Sequence, residues 1–77
     1  MRVSVHLHGI LRDRLAPAAR GRTTLELPEA ATVGDLLAIL GIERRVIVSI
    51  NGRAHIPEDQ ALQDGDHVMI YTPVGGG

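Results

Sequence analysis

One stretch of this chain, residues 32–41, has the pattern of an amphipathic helix, and short strand-like segments lie on both sides of it. Apolar side chains recur at i, i+3, i+4 and i+7 and form one stripe: Val33, Leu36, Leu37 and Leu40. Thr32 can cap the first turn, with Asp35 three residues later as a variant of the capping box. Gly41 fits the position just past a helix end. A short helix with one apolar face must pack on a sheet, which the flanking segments are expected to supply.

Five segments around the helix have strand-like patterns. They are residues 2–8 and 23–27 before it, and residues 45–50, 53–56 and 67–71 after it. Asn51-Gly52 predicts a tight turn after the third of these, and a short helical turn is expected from Ile10 to Leu15. The order β, β, α, β, β, β predicts an α+β fold, a mixed sheet of four to five strands with one main helix. The last strand is expected to run back through the middle of this sheet.

The alternating positions and the helix stripe together predict a single hydrophobic core. The chain has 77 residues, of which 44% are hydrophobic, so it is one domain near the lower size limit for folding on a core alone. The side chains expected in that core are Val3, Val5, Leu7, Leu25, Leu27, Leu36, Leu37, Leu40, Val48, Ile50, Leu62, Val68 and Ile70.

Composition excludes several classes of function. The chain has no cysteine, which excludes disulfides, thiolate metal sites and cysteine nucleophiles. A net charge of −1 and a single aromatic residue, Tyr71, argue against a nucleic-acid-binding protein. The apolar runs are too short for a signal peptide or a transmembrane span. A cytoplasmic location is therefore expected.

All eight basic residues are arginine, and lysine is absent. A genome-wide preference for arginine codons is the simpler explanation. A chemical one also exists, because a protein that carries an activated acyl group benefits from having no side-chain amine to attack it, and a guanidinium stays protonated.

The chain ends in Gly75-Gly76-Gly77, directly after the last strand pattern. Three consecutive glycines are not expected to be part of a packed domain, because glycine loses the most conformational entropy on ordering. They have no side chains near the carboxylate, so they can pass through a narrow channel of an enzyme. The expected division is a folded domain over residues 1–73 and a flexible tail over residues 74–77.

Several short motifs, in this order and at this spacing, resemble one known family over essentially the whole chain. They are Leu11-Arg12-Asp13-Arg14-Leu15, Ala31-Thr32-Val33-Gly34-Asp35-Leu36-Leu37, Ile50-Asn51-Gly52, Leu62-Gln63-Asp64-Gly65-Asp66-His67-Val68 and Pro73-Val74-Gly75-Gly76-Gly77. The chain is similar to the ubiquitin-like β-grasp sulfur carriers of the MoaD/ThiS family. Its ending is most similar to that of the molybdopterin-synthase small subunit, although Thr72 stands where that subunit has the first of two prolines.

The resemblance implies a carrier, not an enzyme. The Gly77 carboxylate would be adenylated by a separate ubiquitin-activating-type enzyme that uses ATP and magnesium, and then converted to a thiocarboxylate. The sulfur would go to molybdopterin (molybdenum cofactor) synthesis through a synthase large subunit. No stably bound cofactor is expected on the chain itself.

The docking surface is expected at the last strand and the start of the tail. The candidates are Ile70, Thr72, Pro73 and Val74, because partners need exposed apolar surface. Gly75 and Gly76 would form the part of the tail that enters the enzyme.

Other functions stay open on the sequence alone. The chain could be a ubiquitin-like modifier joined to lysines of other proteins through Gly77, a sulfur carrier for thiamine thiazole or cysteine synthesis, or a binding module with an inert tail. His6, His8 and His67 could share one face of the sheet, but solvent-facing histidines are commoner than a zinc site, and no metal site is predicted. The Asp64-Gly65-Asp66 and Glu58-Asp59 segments lack calcium-loop spacing and are interpreted as turns.

Overall fold

The structure is a computed structural model, and it describes residues 1–15 and 19–73. Four strands, one 3₁₀ helix and one α-helix are present in these residues. In chain order they are β1 (Arg2–Leu7), the 3₁₀ helix (Gly9–Arg14), β2 (Arg22–Glu26), α1 (Val33–Leu40), β3 (Ile47–Ile50) and β4 (His67–Tyr71).

The sheet is mixed, with the strand order β2-β1-β4-β3. Strands β1 and β4 are parallel neighbours in the middle, with Leu7 opposite Ile70. Strand β2 is antiparallel to β1, and β3 is antiparallel to β4. The prediction that the last strand runs back through the middle of a mixed sheet is therefore confirmed.

The expected fifth strand over residues 53–56 is not a strand. Arg53 forms only an isolated bridge with Ile50. His55 then adopts a left-handed backbone, φ 60°, which interrupts an extended chain, and the Ile56 N–H donates to Val48 O at 2.9 Å. The third strand begins at Ile47, two residues later than the β-branched run suggested, and the expected turn at 10–15 is the 3₁₀ helix.

Helix α1 begins and ends as its sequence predicts. Thr32 Oγ1 accepts a hydrogen bond from the Asp35 N–H at 3.2 Å, and Asp35 Oδ2 accepts one from the Thr32 N–H at 2.9 Å. This is a complete capping box. Gly41 ends the helix with a left-handed backbone, φ 71°, a conformation that glycine adopts without strain.

One core lies between the sheet and α1, and it contains most of the predicted side chains. Leu25 and Leu40 are half-buried at its margin, and four buried residues are not in the predicted set: Leu11, Ala31, Val33 and Ile42. Leu11 enters because the 3₁₀ helix turns it inward, and Ile42 enters because its N–H bonds Leu37 O at 2.9 Å and holds it under the helix end.

Candidate functional site

The start of the tail leaves the centre of the sheet. Because β1 and β4 are parallel, the end of β4 at Tyr71 lies beside the end of β1 at Leu7. Thr72 and Pro73, which follow Tyr71, are half-buried against the body. Pro73 lines an open groove of about 410 Å³ with the edge of β3 and the segment that follows it. The position of Pro73 therefore fixes the point on the domain at which residues 74–77 begin.

The other predicted tail residues, Val74, Gly75, Gly76 and Gly77, lie outside the described residues. The division between a folded domain over 1–73 and a tail over 74–77 stays a prediction for the same reason.

The expectation that Ile70 belongs to an exposed docking surface is wrong. Its side chain is 0% exposed and lies in the core, where β4 pairs it with Leu7 on one side and Val48 on the other. Successive side chains of a strand point to opposite faces, so the neighbours Met69 and Tyr71 take the outer face instead. Met69 is 39% exposed, one of the few large apolar side chains at the surface.

The outer face of the sheet is the face that α1 does not cover. Met69 lies there, opposite His6 on β1 and Ser49 on β3. An open depression of about 560 Å³ crosses this face between β2, β1 and β4, and Thr24, His67 and Met69 are among the residues that line it. The alternation of residues 67–71 is the sequence signal that places Met69 on the outer face and Ile70 in the core.

A pair of histidines lies on this face, at the end of the sheet where β4 ends and the tail begins. The rings of His6 and His8 are 4.0 Å apart between centroids, and the His8 ring meets Tyr71 edge-on at 6.3 Å. Partial burial lowers the pKa of His6 below its ordinary 6.5, and the positive charges of His8, Arg22 and Arg12 lower it further. Nε2 of His8 is buried and has no hydrogen-bond partner among the described residues.

The turn that leads into β2 packs closely against the end of β1, beside these histidines. The Leu7 N–H donates to Gly21 O at 2.6 Å. A Cβ on Gly21 would collide with the Leu7 carbonyl oxygen and lie 2.9 Å from Arg12 Cγ. Glycine is required here by both its left-handed φ of 78° and this close approach.

The acidic segment Asp64-Gly65-Asp66, considered from the sequence as a metal-binding candidate, has a structural role. Asp64 Oδ1 accepts from the Arg2 N–H at 2.7 Å, and Asp66 Oδ2 accepts from the Gln63 N–H at 2.8 Å, so both act as turn residues, as predicted. Within residues 1–15 and 19–73, no group of three or more histidine or acidic side chains is placed to hold a metal. No helix there is long and apolar enough to span a membrane.

Comparison with known proteins places this geometry in a family. The sequence profile of the ThiS family matches residues 5–77, nearly the whole chain. Among solved structures, a putative molybdopterin converting factor, subunit 1, from Pyrococcus furiosus is similar at 27% identity and a TM-score of 0.77, over 96% of this chain and 99% of that one.

Two further structures share the fold. Small archaeal modifier protein 1 of H. volcanii matches at 22% identity and a TM-score of 0.75, over 95% of this chain and 98% of that one. A complex of subunits 1 and 2 of the molybdopterin-converting factor from Helicobacter pylori 26695 matches at 21% identity and 0.65, over 100% of both chains. These likenesses confirm the ubiquitin-like β-grasp fold, and the profile match shows that the chain belongs to the MoaD/ThiS family of ubiquitin-like proteins.

Proposed function

We propose that this protein is a sulfur carrier whose reactive group is the carboxylate of Gly77. The family match that extends through residue 77 carries the proposal. The position of Pro73 supports it, because the described chain ends directly after a central strand, which fixes the base of the tail that a partner would receive. Five extended residues from Pro73 to Gly77 reach at most roughly 17 Å.

The chemistry proceeds in two steps that both belong to a partner enzyme. The Gly77 carboxylate attacks the α-phosphorus of ATP, forming an acyl-adenylate and releasing pyrophosphate. Hydrosulfide (HS⁻) supplied by a sulfur donor then attacks the acyl carbon, forming the C–S bond and expelling AMP, which leaves the carboxyl end as a thiocarboxylate. ATP and magnesium bind to the activating enzyme, a ubiquitin-activating-type protein. The carrier acts as its co-substrate, not as a catalyst.

The described body of the carrier has a separate task, which is to dock. The outer face of the sheet carries an exposed apolar side chain, Met69, next to Tyr71, and both lie close to Thr72 and Pro73. A partner that covers this face and Val74 receives the tail directly. Docking and reaction are thereby assigned to different parts of the chain.

We propose molybdopterin synthesis as the pathway that receives the sulfur. The support is the likeness to the subunit 1 structure from P. furiosus, at 27% identity. The H. pylori neighbour is a complex of subunits 1 and 2 of the same factor, so the expected second partner is a large subunit of a molybdopterin synthase.

The tail is the part to test. Deleting Gly76 and Gly77 should leave the melting temperature unchanged and abolish ATP–pyrophosphate exchange with the activating enzyme, because the carboxylate can no longer reach the site and misplacement of about 1 Å costs roughly 100-fold. Adding one alanine after Gly77 should also abolish the exchange. Intact mass spectrometry should then show a gain of one sulfur in place of one oxygen on the wild-type chain alone.

The outcomes separate the candidate functions. Adenylation and sulfur transfer on the extended chain, without trimming, would show that the Gly77 carboxylate is not the reactive group. Gly-Gly remnants on lysines of other proteins, with no thiocarboxylate, would show a protein modifier. Transfer of sulfur to a thiazole synthase, and none to a molybdopterin-synthase large subunit, would replace the proposed pathway.

A further inference from the structure

Three arginines and two histidines surround one open cavity beside the start of the tail. The cavity measures about 470 Å³, and its charged or ionisable lining consists of His6, His8, Arg12, Arg20 and Arg22. These five residues are called the basic cluster below. They come from four neighbouring parts of the chain: β1 and the residue after it, the 3₁₀ helix, the turn before β2, and β2 itself.

No carboxylate in the part of the chain that the structure describes neutralises this cluster. The ion pairs found there both end on Glu26, one from Arg2 and one from the amino group of Met1. Asp13, the neighbour of Arg12 in the 3₁₀ helix, is exposed and lies more than 4.0 Å from every arginine nitrogen, since it forms no ion pair. The cluster is therefore a patch of uncompensated positive charge.

The two ends of the central strands differ in their charges. At the start of β4, Asp64 and Asp66 lie near Arg2 and the Met1 amino group, so both signs are present there, whereas the charged side chains that line the cavity at its other end are all basic. Burial is the largest cause of the lowered pKa of His6, and the charges of His8, Arg22 and Arg12 lower it further. The same positive charges that disfavour protonation of His6 would attract a negatively charged group.

The backbone at Arg20 adds an independent observation. Arg20 has a left-handed φ of 53°, directly before Gly21 with φ 78°. A residue with a Cβ is less favourable than glycine in this region, because its Cβ approaches the backbone closely. The Arg20 side chain makes no hydrogen bond or ion pair with another described residue that would offset this cost. A strained residue whose side chain has no use within the described fold points to a use outside it.

We propose that the basic cluster binds an acidic, Asp/Glu-bearing segment of the protein that receives the tail. The location argues for this occupant: β1 and β4 are parallel, so the cluster lies at the sheet end from which the tail departs, and His8 contacts Tyr71, two residues before Pro73. A partner that takes up the tail approaches the same end of the sheet at which the cluster lies. The identification of that partner rests on the proposed function.

The shape of the cluster favours a segment with several carboxylates over a single small anion. The three arginines are exposed and distributed around a wide, open cavity, where one ion pair in water contributes little. Several carboxylates on one backbone can meet several arginines at once. They also steer the approach of the partner, because opposite charges raise the association rate at low salt.

The test uses a synthetic octaglutamate peptide as the probe and the full-length protein labelled with ¹⁵N. The peptide should shift the amide resonances of the basic cluster and raise the pKa of His6. Arg12→Gln, Arg20→Gly and Arg22→Gln should each weaken peptide binding about two- to fivefold at low salt, and high salt should weaken binding to the wild type. Arg20→Gly is the sharpest variant, because glycine suits the backbone there and should keep or raise the melting temperature.

Arg53→Gln is the matched control. It removes the same charge from an exposed side chain at the opposite end of β4, where Arg53 bridges Ile50, and it should leave peptide binding unchanged. Equal weakening by the control, or shifts confined to another surface, would overturn the proposal. So would inorganic phosphate that shifts the same resonances as strongly and displaces the peptide, because the cluster would then be a small-anion site.

Binding of the partner proteins distinguishes an error in the role of the basic cluster from an error in the proposed carrier function. With the activating enzyme or the synthase large subunit as ligand, the same three variants should raise the Kd and reduce the salt dependence of association. Adenylation of Gly77 at saturating carrier should persist in them. A carrier that is adenylated normally with unchanged Kd in all three variants would disprove the docking role and leave the carrier chemistry standing.

Discussion

Asn51 joins two turns that are far apart in the chain, through a hydrogen bond from its Nδ2 to Oδ1 of the turn residue Asp66 at 3.0 Å. Its Oδ1 accepts the His67 N–H at 2.9 Å, and its own N–H donates to His67 O at 2.9 Å. Asn51 therefore connects the turn after β3 to the start of β4. Asp66 is 8% exposed, so these bonds satisfy a carboxylate that has little contact with water.

Asn51→Ala should lower the free energy of unfolding by about 1–3 kcal/mol, because it leaves the buried Asp66 carboxylate and the His67 N–H each short of a partner. Alanine also tolerates the left-handed φ of 51° less well than asparagine does. Urea unfolding followed by circular dichroism measures the change. Arg53→Ala, two residues on and exposed, should stay within about 0.5 kcal/mol of the wild type; equal losses in the two variants would contradict the role assigned to Asn51.

The two faces of α1 should respond very differently to truncation. Leu36 is 0% exposed and Ile39 is 57% exposed. Leu36→Ala should cost about 2–5 kcal/mol through the cavity it leaves, and Ile39→Ala should change stability by no more than about 0.5 kcal/mol. Thermal and urea unfolding of both variants check this. Similar costs at the two positions would mean that the helix does not pack through the stripe described.

His6 should make the fold less stable as the pH falls below 6.5. Its pKa in the folded protein lies below the ordinary 6.5, so the unfolded chain takes up the proton first and the free energy of unfolding declines from there down to the lowered pKa. Below the lowered pKa, His6 causes no further loss. His6→Gln should remove this part of the decline in unfolding measurements across the range.

The cause of the His6 shift is testable by NMR titration. Arg22→Gln removes the larger of the two arginine contributions and should move the pKa of His6 back toward 6.5. A pKa that does not move would assign the whole shift to burial, His8 and Arg12.

Substitution by aspartate should separate the docking face from the core on β4. Met69→Asp should keep the fold and weaken binding of the activating enzyme by about five- to thirtyfold, the range for a loss of 1–2 kcal/mol. Ile70→Asp should unfold the protein, because it buries an unpaired charge in the core. Isothermal titration calorimetry and circular dichroism measure the two effects.

Ile39→Asp supplies the control for the docking face. Ile39 is as apolar and even more exposed, but it lies on α1, which covers the other side of the sheet. Its substitution should leave partner binding unchanged. If Ile39→Asp weakens binding as much as Met69→Asp does, the partner contacts the helix, and the outer face of the sheet is not the docking surface.

The local pattern of this chain predicted its elements well, because each rests on neighbouring residues. The capping box of Thr32 and Asp35 and the C-terminal Gly41 needed only the sequence around them, and the structure confirms all three. The prediction of a strand over residues 53–56 is wrong. The hydrogen bonds of this segment depend on a distant strand, and the positive φ of His55 interrupts it, and neither is visible in the β-propensities of its residues. The sequence predicts Ile70 in the core and also as part of the docking surface, and the structure places it in the core, 0% exposed.

The sequence by itself determined the family, the order of the elements, the apolar stripe of α1 and the glycines at the end of the chain, because these are properties of residue type and spacing. The tertiary structure decided what the sheet brings together. The parallel pairing of β1 and β4 places His8 beside Tyr71 and collects Arg12, Arg20 and Arg22 at the start of the tail. Strand register is set by long-range hydrogen bonds and by burial of one face, so side chains distant in sequence become neighbours only once the sheet has formed.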